Sequence, residues 1–492
     1  MTVQRLSVLM LTWEFPPRII GGISSHVNDL SLALARKGVN IHVVTCDFPG
    51  APDYERIDGV HVYRFNSRVP SYSFLQWVFM MNQAMAEKAI DVISSCNENI
   101  DIIHAHDWLV ANAATRVTSV FEKSLVTTIH ATEVGRRGGI HNDYQRTIHE
   151  VEKQLIDQSS KVICCSNYMA GQISEAFGVR GPKLRMIPNG VNTAKFDAPM
   201  DIRLVRRLYS RHEEKIVLFV GRLVHEKGVH VLLGAAPKIM SEMPKVNFVI
   251  VGEGGMREYL FKEAWDFGIA DHVFFTGFID CKALVKLYKA SDVAVFPSLY
   301  EPFGITALEA MAAGTPVVVA DTGGLSEIVE HEKTGIRVYA DDSDSLSWGI
   351  LRVLQNPRLA TELRQNAHEK VVKDYDWNKI AQETLGVYRE ALRAGPAPVL
   401  RVNLGSAFSK FKEYAEDMKV LILLHVLGAV DADHAMRMKE LADILGMRYA
   451  KLRALLTALG IAGYIDSYRD SFRRLRYYLT KHGIIKACSL FS

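Results

Sequence analysis

Two carboxylates, Glu301 and Glu309, lie eight positions apart in the segment SLYEPFGITALEAMAAGTPVV (298–318), which is otherwise mostly small and apolar. Paired carboxylates are the usual candidates for a general acid and a general base around a sugar. The segment predicts a turn and then a helix, so that Glu301 precedes the helix and Glu309 lies inside it. One interpretation is that Glu301 only favours the helix dipole and Glu309 is solvated. The apolar helix favours the other interpretation, in which both are buried and need partners such as sugar hydroxyls.

The start of this helix is a predicted anion site. Pro302 suits the first helical position because it has no N–H that would be left unpaired. The free amides of Phe303, Gly304 and Ile305 then point out of the helix start. Together with the helix dipole, these amides favour a bound phosphate.

Two basic residues in the segment VGRLVHEKGVHVLL (220–233) are predicted phosphate ligands. Arg222 and Lys227 follow a predicted strand directly, at the same rim of the sheet as the helix start. Two basic residues in a loop are often only solvated. Beside a helix N-terminus, however, both can reach one diphosphate, and this combination favours phosphate binding.

The first part of the chain contributes a glycine pair and a histidine. Gly21 and Gly22 precede a helical pattern, where glycine lets the backbone approach a phosphate. The G-x-G-x-x-G spacing is incomplete, and an ordinary loop explains the pair as well. His130 ends a predicted strand, and its place in a cleft favours catalysis although a lone histidine is more often structural. His106 and Asp107 of HAHDW stay nearer the structural interpretation.

The elements that position these residues are short β-branched runs with helical stretches between them, which is typical of a parallel sheet. The pattern restarts after the turn-rich segment 187–199, so we predict an α/β protein with two doubly wound domains. Ligands bind beyond the carboxyl ends of such strands, and two facing domains form a cleft there. The runs are 7–11, 41–45, 101–105, 125–130 and 161–165, then 216–221, 247–252, 272–277, 293–298 and 316–320.

The composition does not indicate a particular binding partner. The chain has 492 residues, of which 48% are apolar and 23% charged, with a formal net charge of +3, as in an average soluble protein. The six cysteines show neither a zinc spacing nor a disulfide framework. The opening apolar run, 6–11, is too short to span a membrane and lacks a cleavage pattern, so we expect a cytoplasmic protein.

The sequence resembles the retaining nucleotide-sugar glycosyltransferases of family 4, including their glycogen synthase-like branch, in its motifs and in their order along the chain. The resemblance covers about residues 5–394 and implies the GT-B fold, in which two Rossmann-like domains face a cleft. It rests on EFPPRIIGGISSHV, HAHDW, TIHATE, IPNGVN, FVGRLVHEKGV, VGEGG, FTGF and EPFGITALEAMAAGTPVV. The implied divisions are an acceptor domain (1–198), a donor domain (199–375) and a crossover helix packing back on the first domain (376–394). Outside the resemblance, the GPAP stretch predicts a linker (395–400), and the unrelated sequence after it predicts an extra domain (401–492).

The resemblance also implies a role for each candidate residue. Glu301 would hold the hydroxyls of the transferred hexose, and Glu309 those of the ribose. Arg222 and Lys227 would neutralise the diphosphate, and His130 would lie near the reacting centre. Backbone contacts are implied for Phe303, Gly304, Ile305, Gly21 and Gly22 with phosphate and sugar, and for Gly277 and Phe278 with the base.

The expected reaction is retaining transfer of a hexose, with glucose as the first candidate, from a nucleotide diphosphate sugar to a glucan, glycan or glycolipid. Cations and helix amides stabilise the charge on the departing diphosphate, so we expect neither a metal nor a further cofactor. No D-x-D follows a predicted strand, and DAD (431–433) is interpreted as a polar helix boundary. A homo-oligomer is compatible with this function. The alternative function is a regulator that senses sugar nucleotides and acts through residues 401–492.

Two segments suggest further partners. In VPSYSFLQWVFMMNQAMAEKAI (69–90), a stripe of Tyr72, Phe74, Trp77 and Phe79 fits an acceptor site or a peripheral membrane contact, although a helix packed in the core is favoured. Residues 401–492 carry 15 Lys and Arg against 9 Asp and Glu, a charge of +6. Their pattern resembles a winged helix-turn-helix, with 450–459 as recognition helix and 469–476 as wing. Binding of DNA and contact with a protein both remain open.

Overall fold

A computed structural model describes residues 5–67, 74–96, 99–197, 201–210, 214–397, 416–427, 429, 435–470 and 473–480. The chain divides into two compact units. The first consists of Met1–Arg68, Ala84–Ile140 and His149–Ala397, and the second of Val69–Gln83, His141–Ile148 and Pro398–Ser492.

The first sheet has eight strands in the order β3-β4-β2-β1-β5-β6-β7-β8. All neighbouring pairs are parallel except β3 and β4, which form an antiparallel edge. The strand order reverses between β1 and β5, and such a switch point opens a crevice at the carboxyl ends of the strands. The strands are β1 (Ser7–Leu11), β2 (Asn40–Cys46), β3 (Tyr54–Ile57), β4 (Val60–Phe65), β5 (Ile102–His106), β6 (Ser124–Ile129), β7 (Lys161–Cys164) and β8 (Leu184–Met186).

The second sheet, in the same unit, has six parallel strands in the order β11-β10-β9-β12-β13-β14. Its switch point lies between β9 and β12, so the loops after these two strands lie side by side. The prediction of two doubly wound parallel sheets is confirmed. The strands are β9 (Lys215–Val220), β10 (Val246–Val251), β11 (Val273–Gly277), β12 (Val293–Phe296), β13 (Val317–Ala320) and β14 (Ile336–Val338).

Helices cover both sheets, and each sheet has its own core. The helices are α1 (Gly22–Arg36), α2 (Phe74–Ser95), α3 (Ala111–Phe121), α4 (Glu133–Arg137), α5 (Asp143–Gln158), α6 (Asn167–Phe177), α7 (Ala194–Asp197), α8 (Arg203–Tyr209), α9 (Val229–Glu242), α10 (Arg257–Asp266), α11 (Cys281–Ala290), α12 (Ile305–Ala312), α13 (Leu325–Ile328), α14 (Ser343–Leu354), α15 (Pro357–Asp374) and α16 (Trp377–Ala394). In the first sheet, Val8 and Met10 of β1 belong to one buried cluster with Leu34 and Tyr388. In the second, Phe248 of β10 belongs to a buried cluster with residues of four helices, α9, α10, α14 and α15.

The long helix α16 follows the second sheet in sequence but packs on the first. It begins at an N-cap, Asp376, whose carboxylate accepts hydrogen bonds from the amides of Asn378 and Lys379. Its apolar stripe, which includes Ile380 and Tyr388, lies in the same buried cluster as α1 and β1. The chain therefore ties both sheets into one unit, which fixes the loops of the candidate site relative to one another.

The aromatic stripe of α2 does not form the buried face of that helix. Phe74 is 46% exposed, and Trp77 and Phe79 are only half-buried. The expectation that the stripe packs in the core is therefore wrong for Phe74, and Tyr72 lies outside the described residues. The buried positions of the helix are aliphatic and include Val78, Met81, Met85 and Ala89. Among the described helices, none has the length and apolar character needed to cross a bilayer.

The described part of residues 401–492 contains three helices and a three-stranded sheet in the order β15-β17-β16. Leu421, Leu441 and Leu456 belong to its buried cluster. The winged-helix resemblance and the binding of DNA or protein stay predictions, and 398–415, 431–433 and part of the predicted wing lie outside the described residues. The elements are α17 (Glu416–Val426), β15 (Met436–Arg437), α18 (Met438–Leu445), α19 (Tyr449–Ile461), β16 (Ile465–Arg469) and β17 (Leu475–Leu479).

Candidate functional site

The loops after β9 and β12 bring Lys227 and Glu301 into direct contact. Lys227 Nζ donates a hydrogen bond to Glu301 Oε2 at 2.6 Å, and Ser298 Oγ donates to the same oxygen at 3.1 Å. Glu301 is only 8% exposed. The amide of Leu299 donates to the carbonyl of Glu226 at 2.9 Å, so the backbone also joins the two loops. The predicted hexose ligand and the predicted diphosphate ligand thus form one ion pair with little access to water.

The helix start between the two glutamates differs from the prediction. The helix α12 begins at Ile305, and its N-cap is Gly304, which has a left-handed φ of 113° and no side-chain capping bond. Phe303 therefore precedes the helix, and Pro302 is not in its first turn. The reason is local, since a left-handed residue cannot continue an α-helix. The amides offered by the first turn are those of Ile305 and Thr306.

The glycine pair faces this helix start from the other sheet. The helix α1 begins at Gly22, with Gly21 as N-cap and no side-chain capping bond. A Cβ atom placed on Gly22 would lie 3.1 Å from Ile305 Cδ1, so the starts of α1 and α12 meet closely. Helix N-termini carry partial positive charge and unpaired amides. Two of them meeting beside Lys227 form an environment for a strongly anionic ligand.

Glu14, which the sequence analysis did not select, holds the glycine loop. Its Oε2 accepts hydrogen bonds from the amides of Ile20 at 2.7 Å and Gly21 at 2.8 Å, and the residue is 1% exposed. Burial raises its pKa, while the two amides and the charges of Arg18 and Arg222 oppose that rise. A carboxylate three residues after a buried strand was the sequence signal for this role.

The remaining predicted donor ligands lie nearer the rim. The side chain of Arg222 is 49% exposed, and its Nη2 lies 3.4 Å from Glu226 Oε1, so the two predicted cations have different carboxylate partners. Gly277 ends β11 with a left-handed φ of 69°, and Phe278 after it is 65% exposed. In the sheet, β10 lies between β11 and β9. Gly277 and Phe278 therefore lie at a distance from the Lys227–Glu301 ion pair.

Glu309 is not a solvated helix position. Tyr288 Oη donates a hydrogen bond to Glu309 Oε2 at 3.2 Å. The carboxyl group also lines a small cavity with His26, Asp29 and Lys195 from the first sheet's side of the cleft. Burial raises the pKa of Glu309 to about 7, although the Tyr288 hydrogen bond and the charge of Lys195 oppose the rise.

This raised pKa predicts a pH-dependent contribution to stability that is absent in Glu309→Gln. Because the folded state holds the proton more tightly than the unfolded state, with a pKa of about 7 instead of 4.5, the free energy of unfolding falls as pH rises through that window. The contribution is up to about 3 kcal/mol. Urea unfolding at pH 5 and pH 8 measures it, and the loss of stability should be smaller in Glu309→Gln than in the unchanged protein. An identical loss in both proteins would contradict the assignment.

Four histidines cluster at the carboxyl ends of β5 and β6. His106 Nδ1 lies 3.4 Å from His130 Nε2, and the ring of His26, on α1, lies 4.8 Å from the ring of His130 between centroids. Burial lowers the pKa of all four, to about 4 for His26 and about 3 for His104. They are therefore neutral near pH 7. His26 was missed because a single histidine inside a helical pattern gives no signal of its own.

His104 has a structural role. Its Nδ1 lies 2.8 Å from Tyr388 Oη on α16, and its Nε2 lies 2.8 Å from Thr128 Oγ1 on β6. Nδ1 thus joins the crossover helix to the first sheet, and Nε2 joins β5 to β6 within that sheet. The sequence cannot show this, because the two partners of His104 are 284 and 24 positions away.

A buried charged group lies next to the histidines. Asp107 has a left-handed φ of 70° and accepts a hydrogen bond from the amide of Trp108 at 2.8 Å. Burial raises its pKa to about 6, against the opposing charge of Arg136. Arg136 Nη1 in turn donates to Glu133 Oε2 at 2.7 Å. The corner after β5 thus combines a left-handed residue with buried charged groups.

Known protein families match two consecutive parts of the chain. Residues 20–195 match the family described as Glycosyltransferase Family 4, and residues 203–370 match Glycosyl transferases group 1. An uncharacterized glycosyltransferase of Methanocaldococcus jannaschii is 39% identical over 391 residues, 79% of this chain and 99% of that protein. A glycogen synthase of Mycobacterium tuberculosis is 34% identical over 412 residues, 81% of this chain and 98% of that protein. A solved structure of sucrose-phosphate synthase from Thermosynechococcus elongatus has a TM-score of 0.70 at 27% identity, and the match covers 80% of this chain and 100% of that one.

Proposed function

This chain belongs to glycosyltransferase family 4 and has the GT-B fold, and we propose that it is a retaining hexosyltransferase of the glycogen synthase type. The donor is a nucleotide diphosphate sugar, with glucose as the hexose, and the acceptor is a glucan, glycan or glycolipid. The observation that carries the proposal is the meeting of the α1 and α12 starts beside the Lys227–Glu301 pair. The relative named glycogen synthase supports the choice of hexose and acceptor class.

The diphosphate occupies the space between the two helix starts. As the bond to the sugar breaks, negative charge accumulates on the leaving oxygen, and groups that are already oriented toward it stabilise the transition state. Lys227 and the first-turn amides of α12 supply that stabilisation, and Arg222 approaches the diphosphate from the rim. Glu14 fixes the loop in front of α1, because it accepts hydrogen bonds from the amides of Ile20 and Gly21. The charge is balanced by protein groups, so the proposed reaction needs no metal.

The two glutamates hold different parts of the donor. Glu301 accepts hydrogen bonds from hydroxyls of the hexose while Lys227, bonded to the same carboxylate, keeps it oriented. Glu309 accepts hydrogen bonds from the ribose hydroxyls. Tyr288 orients the Glu309 carboxyl group by donating a hydrogen bond to it. His130 lies at the reacting centre, where its neutral ring bonds a hydroxyl of the hexose. Substitution occurs on the face from which the diphosphate leaves, and the departing phosphate accepts the acceptor's proton.

A thermal-shift panel of ADP-, UDP- and GDP-sugars tests this proposal. A donor present at about 100 times its Kd stabilises the folded protein by about 2.7 kcal/mol. One nucleotide sugar should therefore raise Tm clearly, while the free hexose used as control should not. Transfer from that donor should give a product with the donor's anomeric configuration, with EDTA present. Absence of any shift across the panel would overturn the function, and an inverted product would overturn retention.

A further inference from the structure

We propose that His26, His106 and His130 form a binding site for a zinc-class transition cation, distinct from the groups that balance the diphosphate. The three rings come from separate segments, namely α1, the end of β5 and the loop after β6. One ring nitrogen from each lies within 4.8 Å of the other two. Three imidazoles from three segments of one fold are a preorganised ligand set, because no chain rearrangement is needed to assemble them.

The spacing of the rings fits tetrahedral coordination. With a Zn–N distance of about 2.0–2.1 Å, two nitrogens on one tetrahedral zinc lie about 3.4 Å apart, and their ring centroids about 5 Å apart. His106 Nδ1 and His130 Nε2 are 3.4 Å apart. The centroid of His26 lies 4.8 Å from that of His130 and 5.5 Å from that of His106, and the third pair is 5.7 Å apart. Small ring rotations therefore suffice to place all three nitrogens on one cation.

Unsatisfied ring nitrogens give the second, independent reason. In the described part of the chain, both ring nitrogens of His26 are buried and lack a hydrogen-bond partner of ordinary geometry, although the side chain of Asn189 interacts with this ring. A buried polar atom without a hydrogen-bond partner destabilises the folded state, so this site favours an occupant. His104, whose two nitrogens are both hydrogen-bonded, is excluded from the ligand set although its ring lies 4.1 Å from that of His106.

Three imidazole ligands favour a particular class of cation. Imidazole nitrogen suits Zn²⁺, Cu²⁺ and Ni²⁺, whereas Mg²⁺ and Ca²⁺ prefer oxygen ligands. Three protein ligands leave a fourth position open for water, as in other three-histidine zinc sites. If His130 bonds the donor hexose as proposed above, the cation and the donor exclude each other, and micromolar zinc inhibits transfer. This last clause rests on the proposed function, but cation binding itself does not.

Direct titration with Co²⁺ tests the site without any transfer assay. The full chain, freed of metal with EDTA and then desalted, should bind one equivalent of Co²⁺ with visible d–d absorption of a four- or five-coordinate ion. Zn²⁺ should displace the Co²⁺, and excess Mg²⁺ should not. His26→Gln and His106→Gln should each weaken zinc binding by at least about tenfold, since loss of even an outer-shell partner costs 10–100-fold. The exposed His331 lies outside the cluster, so His331→Gln is the matched control and should bind zinc normally.

Three outcomes would overturn the site. The first is the absence of the Co²⁺ band in the unchanged protein, which needs no variant and so cannot be ascribed to misfolding. The second is unchanged zinc affinity in both His26→Gln and His106→Gln, with folding checked by circular dichroism. The third is loss of the donor-induced Tm shift in these variants without any metal binding, which would assign the histidines to sugar hydroxyls instead. Failure of cation binding leaves the proposed transfer function standing, because the nucleotide-sugar panel tests that separately.

Discussion

Replacing Lys227 by alanine should lower kcat/KM for hexose transfer by about 100- to 1,000-fold, and Glu301→Ala should have an effect of the same size. The first change removes the cation that meets the leaving diphosphate. The second removes the hexose ligand and leaves Lys227 without the oxygen that it contacts at 2.6 Å. Initial rates at several donor concentrations measure both effects, and most of the loss should be in kcat, since these contacts strengthen as charge develops.

Loss of folding must be separated from loss of catalysis in this experiment. Breaking a largely buried ion pair from one side costs about 3–5 kcal/mol, because the other charge is left uncompensated. The double variant Lys227→Met/Glu301→Gln carries no such charge and should recover much of the stability but none of the activity. The control is Lys238→Ala, which breaks a 2.9 Å pair with Asp344 whose side chains are 51% and 83% exposed. That change should affect neither property, and near-normal turnover in Lys227→Ala would remove this lysine from the mechanism.

Most strands were predictable because of where they lie. In a parallel sheet covered on both faces, a strand is a continuous apolar run, and β1 and β9 are buried along almost their whole length. Four strands were not predicted, and they lack a long continuous buried run. β4 alternates between buried and half-buried positions over its first four residues. β3 alternates between exposed and half-buried positions at the edge of the first sheet, and β8 and β14 have only three residues each. A three-residue run carries too little periodicity to be distinguished from a loop.

The candidate site was predictable as a set of residue types but not as a set of contacts. The sequence gives Lys227 and Glu301 different roles, and nothing in it shows that they bond to each other across 74 positions. The partner of Glu309, Tyr288, is 21 positions away and on another helix. The later start of α12 follows from the left-handed conformation of Gly304, which has a φ of 113°. Long-range contacts decide the first two, the backbone of a single residue decides the third, and the sequence pattern shows none of them.

The loop that carries Lys227 depends on a glycine, and Gly228→Ala should destabilise the protein by more than about 3 kcal/mol. Gly228 has a left-handed φ of 66°, and a Cβ atom there would lie 1.9 Å from the carbonyl oxygen of Pro297. That oxygen belongs to the segment after β12, directly before Ser298 and Glu301. The backbone can relieve the overlap only by moving the two loops apart, which lengthens the Lys227–Glu301 contact. Transfer activity should therefore fall together with stability.

A second glycine separates the two causes of this loss. Gly268 has nearly the same φ, 68°, but a Cβ atom there would have nothing within 4 Å. Gly268→Ala should therefore cost only the strain of a left-handed alanine, about 1–2 kcal/mol, and should leave activity unchanged. Urea unfolding and initial rates of both variants make the comparison. If the two alanines cost the same free energy, backbone strain alone explains the loss at Gly228. The close approach of the two loops would then not be what holds the lysine and the glutamate together.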